Sequence, residues 1–127
     1  MPASKIKQIK YESETWKRLL SFMMDENTHL KNRLAEILKD DFDTNLLEEV
    51  ERFQSSFIKE DLLIGLLRND IAEIDALLKE RYEDEIILNM IDFKLKSLRN
   101  NIVNAEKQFG NLKLSFNHYM SKKMKYG

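Results

Sequence analysis

Residues 46–78 read LLEEVERFQSSFIKEDLLIGLLRNDIAEIDALL, and within them Leu46, Val50, Phe53, Phe57, Glu60, Ile64, Leu67, Ile71, Ile74 and Leu78 fall at alternating steps of four and three residues. Such heptad spacing lines one side of a helix, with these residues at the inward a and d positions. A strand would repeat every second residue instead. The seam carries a single charge, Glu60 at a d position.

Toward the N-terminus the same arithmetic runs through Trp16, Leu20, Met23, Asn27, Leu30, Leu34 and Ile37, with Lys17, Arg18, Asp25, Glu26 and Lys31 between them. The spacing predicts a helix over about residues 11–39, ending where Asp40, Asp41, Phe42 and Asp43 interrupt the pattern. Asn45 with Glu48 three residues on has the spacing of a capping box at the start of the next helix. Toward the C-terminus the seam dies in residues 79–85, a stretch of six charges and one Tyr. A new seam, out of phase with the first, runs through Leu88, Ile91, Leu95, Leu98, Ile102, Ala105, Phe109, Leu112, Phe116 and Tyr119. One continuous helix would be about 120 Å long, more than a small chain can cover, so a reversal near Tyr82 to Asp84 is expected.

The fold class expected is therefore all-α. Three long helices, at about 11–39, 45–81 and 84–122, form an up-down-up antiparallel bundle in one domain, with coiled-coil-like heptad packing and crossing angles of about 20°. Residues 1–10 and 123–127 read as basic tails; the alternative for residues 1–10 is that, through Ile6 and Ile9, they extend over the less covered end of the bundle. Because the first seam is the shortest, the end of the long hairpin holding Leu78, Tyr82 and Ile86 is expected to be the less covered end.

Composition narrows the function classes. The 127 residues carry 21 basic and 22 acidic side chains, a net charge of -1 that gives no surplus of cations for phosphate binding, so no nucleic-acid partner is expected. Three Gly and one Pro are too few for the tight turns of an all-β chain, and zero Cys removes disulfides and thiolate chemistry. The longest strongly apolar run, residues 62–67, is far short of the roughly 20 residues of a membrane span. With no secretory signal visible at the start, a cytoplasmic location is the expectation.

Candidate chemistry is sparse. Glu26 and His29 have the Glu-x-x-His spacing of di-iron carboxylate bundles, but the heptad assignment turns His29 outward, and Ser115 stands where a second motif ending in His118 would need a Glu. No catalytic residue, cofactor site or metal site is assigned. Asn27, at an a position, and Glu60 are instead read as a polar layer that sets register, since a polar a residue gives up stability for specificity. A ligand- or metal-binding bundle with Asn27, His29 and Glu60 near its site is the alternative.

The pattern most suggestive of function is a second apolar surface. Ile58, Leu62, Leu63 and Leu66 lie outside the seam of the middle helix; Leu19, Phe22 and Met24 widen the first, and Ile86, Met90 and Phe93 form a stripe on the third. A helix apolar on more than one side is buried on more than one side. Phe22, Ile58, Leu62, Leu66, Met90 and Phe93 are thus the expected interaction surface of a non-catalytic adaptor or oligomerisation module. Its expected partner is a second copy in a dimer, or another helical protein.

Overall fold

The computed structural model describes residues 3–40, 44–79 and 84–126, and among them every element is helical. The helices are α1 (Ala3–Asp40), α2 (Thr44–Lys79) and α3 (Glu85–Tyr126). α3 starts where Asp84 caps it: the Ile86 N–H donates to the Asp84 carboxylate at 2.9 Å, and the Leu88 N–H makes the first helical bond to the Asp84 carbonyl at 3.0 Å. Lys39 and Lys79 stand in the last turns of α1 and α2, where a cation complements the helix dipole.

Polar contacts between helices record their directions. Ser13 bonds to Asp75 and Asn27 to Asp61, so two heptads forward on α1 are two heptads back on α2. Between α2 and α3, Glu73 meets Lys94 while Phe53 meets Phe116, again antiparallel. α1 and α3 are therefore parallel, and their ion pairs Lys5–Asp92, Glu12–Arg99 and Glu26–Lys113 all join residues 87 apart in sequence. The up-down-up bundle expected from the heptads is the observed architecture.

The core is the seam. Leu20, Met23, Leu30 and Leu34 of α1, Phe57, Ile64, Leu67, Ile71 and Ile74 of α2, and Ile91, Leu95, Leu98, Ile102 and Phe116 of α3 are all buried in one cluster. Phe53, Ile37 and Leu112, also on the seam, are partly buried against it. Every buried side chain among the described residues sits at one of these alternating three- and four-residue steps. Burying each aliphatic residue contributes about 1.5–3 kcal/mol, so this single face supplies the drive to fold.

The boundaries of α1 and α3 differ from expectation. α1 begins at Ala3 rather than near Tyr11, because Ile6, Ile9 and Ser13 continue the heptad and all three are buried. Residues 3–10 are thus part of the bundle and not a basic tail. Through them α1 reaches the far end of the hairpin, where Leu78 is buried rather than left uncovered. α3 runs on to Tyr126, past the expected end at residue 122. The chain reversal at residues 80–83 and the side chain of Asn45, proposed for the capping box, lie outside the described residues.

Candidate interaction surface

Two polar clamps hold α1 to α2 along one edge of the core. In the first, the buried Ser13 hydroxyl donates to Asp75 at 2.8 Å and Lys17, one turn on, pairs with the same carboxylate at 2.6 Å. Asp75, and then Glu14, raise the Lys17 ammonium pKa above its ordinary value. Two heptads further, Asn27 and Lys31 repeat the arrangement around Asp61. The Asn27 amide donates 2.7 Å to Asp61 and 2.8 Å to the Phe57 carbonyl, so it bridges to α2 from a fully buried a position. Its Oδ1 finds no donor among the described residues.

Glu60 stands on the seam with 7% of its surface exposed. Its Oε2 is buried without a hydrogen-bond partner among the described residues. Loss of solvent, and secondarily the neighbouring Asp61 charge, pushes the Glu60 carboxyl above the ordinary carboxylate range. The Glu60 side chain therefore favours its neutral form more than a solvated glutamate does.

The metal-like spacing does not converge. Glu26 reaches across to Lys113 of α3, and His29 is exposed on the outer side of α1. Among the described residues no group of three or more His, Asp or Glu side chains is placed to hold a metal ion. A groove of about 660 Å³ does open between α2 and α3, floored by Phe53, Leu112 and Tyr119 and rimmed by Arg52, Lys122 and His118. Neither Asn27, His29 nor Glu60 lines it.

The six residues expected to form an interaction surface are all exposed, but they do not make one patch. Ile58, Leu62 and Leu66 share the outer face of α2, with 49%, 65% and 62% of their surfaces open. Phe22 lies on α1, on the side turned toward α3 and away from that face. The α1–α3 register places Phe93 level with Ile6, about 24 Å along the axis from Phe22, and Met90 lies further still. Leu63, expected with the outer group, is partly buried against the core, as are Leu19 and Met24.

Around Ile58 and Leu62 the sequence holds a pattern that apolarity alone does not reveal. Ser55, Ile58, Leu62, Gly65, Asn69, Ala72, Ala76 and Lys79 also alternate by three and four residues. They form a second heptad seam on the solvent side of α2, and all are exposed except the half-buried Gly65. Six of the eight are small or polar residues, which hides the seam from a search for apolar side chains. Among the described residues no helix is long and apolar enough to cross a membrane. No family model, curated protein or solved structure matches this chain.

Proposed function

We propose that the chain is a non-catalytic helical interaction module, in which the inner seam folds the three helices and the outer face of α2 receives another helix. The observation that carries this reading is the exposure of Ile58, Leu62 and Leu66 together on one face of a helix whose opposite face is already buried. Contiguous exposed apolar surface marks sites of association. The heptad spacing of that face identifies the shape it fits, since seams of this kind pack against helices.

Affinity isolation of the tagged chain from its native cell tests the proposal. The wild type is compared with the Ile58→Glu, Leu62→Glu double variant after circular dichroism has shown both to be helical. A chain that comes down with the wild type, whether an untagged copy of itself or another helical protein, should be missing with the variant. Recovery of the same proteins by both would overturn the assignment of this face.

A further inference from the structure

We infer that the helix received by the outer face of α2 is α2 of a second copy, docked antiparallel; this rests on the interaction reading above and names its partner. Bulk is distributed unevenly along the outer seam. Ile58 and Leu62 occupy its N-terminal part, while Gly65, Ala72 and Ala76 occupy its C-terminal part. An antiparallel pair sets the bulky part of each copy against the small part of the other. A parallel pair would crowd large on large and leave a gap between the alanines.

One charged flank fits the same direction. Lys59, Leu66 and Glu73 follow one another at heptad spacing along one flank of the outer seam. With a two-fold axis at Leu66, Lys59 of each copy meets Glu73 of the other, and the two Leu66 side chains meet between them. A parallel pair would leave Lys59 and Glu73 on opposite sides of the interface, where neither meets the other. Glu73 already accepts from Lys94 through Oε2 at 2.6 Å, leaving Oε1 for the second cation. Lys17–Asp75 and Lys31–Asp61 lock α1 to α2 by the same antiparallel device.

Gly65 adds an independent reason. A glycine inside a helix weakens it relative to alanine, and a Cβ added at Gly65 would meet nothing within 4 Å. Nothing inside the chain requires this residue to be small. A second helix on the outer face does require it, because Gly65 lies one residue from the two-fold axis at Leu66, where it meets the other copy at the centre of the pair. Gly110 has equally open surroundings, and the exposed Val103 and Leu114 stand on its side of α3, but Lys107 interrupts that row.

The purified full-length chain provides the test. Light scattering at tens of micromolar should give about 30 kDa, twice the 15.2 kDa chain mass. Because the chain has no Cys, the single variants Leu66→Cys and Lys79→Cys can be treated with a short bis-maleimide. Both replaced side chains are exposed. Leu66→Cys should cross-link to a covalent dimer, whereas Lys79→Cys should not, since the two copies of that residue would lie about 39 Å apart. Cross-linking of Lys79→Cys, with or without Leu66→Cys, would mean a parallel pair and overturn the proposal, as would cross-linking of neither. A monomeric wild type also overturns it. If native-cell isolation then still recovers a partner that depends on Ile58 and Leu62, self-pairing fails while the interaction module stands.

Discussion

Glu60 is bracketed on α2 by Phe57 and Asp61, the two residues that Asn27 bonds from α1. A carboxyl whose pKa is raised on folding binds its proton more tightly in the folded chain. Its contribution to stability is complete below the unfolded value, near 4.5, and is lost as pH rises through the folded value. Glu60→Gln abolishes this titration. The variant should match the wild type in thermal stability near pH 4 and exceed it at pH 7, by about 1 kcal/mol, the scale of one buried unsatisfied group. A fall in melting temperature at pH 7 would show that the ionised carboxylate serves a partner. The sequence exposed both polar intrusions, because each interrupts an apolar run at a known heptad position. It did not reveal that Asn27 works with Lys31 on one aspartate, nor that Ser13 and Lys17 do the same, because a serine at an a position reads as a break in the seam.

At the scale of the elements, α2 was legible on its inner side and only partly on its outer one. The inner residues are large and apolar, so their spacing stands out. Ser55, Gly65, Asn69, Ala72 and Ala76 carry little or no apolar bulk, and their heptad spacing gains meaning only once Ile58 and Leu62 are seen to be exposed. Gly65 separates folding from association. Gly65→Ala should raise the stability of the monomer by about 1 kcal/mol, measured by denaturant unfolding in the Ile58→Glu, Leu62→Glu background. Gly65→Gln, also favourable to a helix, should leave the melting of the monomer at or above its parent while weakening self-association of the otherwise wild-type chain about tenfold. Unchanged association in the glutamine variant would remove Gly65 from the interface. α1 was misjudged at its start, where Lys5, Lys7 and Lys10 alternate with Ile6 and Ile9 and resemble a charged tail. Continuing the three-and-four count back through Ser13 recovers the helix.

Across the whole molecule, direction and register were readable because each seam stays in phase for its full length and ends at a charged break. The grouping of exposed residues was not readable, since Phe22, Met90 and Phe93 reach different heights and sides only after the helices are aligned. That alignment leaves Ile58, Leu62 and Leu66 as the coherent outer face. The inner seam should therefore fold the chain without help from this face, and the face should serve association. Sedimentation velocity of the Ile58→Glu, Leu62→Glu variant beside the wild type at 1–100 µM (about the range for a moderate dimer), with circular dichroism on the same samples, measures both halves of that claim together. The account predicts a wild-type mass about twice 15.2 kDa, a variant mass equal to one chain, and the same helical content in both. A variant that unfolds would contradict it by placing Ile58 and Leu62 in the chain's own core, and equal masses for the two proteins would contradict it by showing that this face does not hold the copies together.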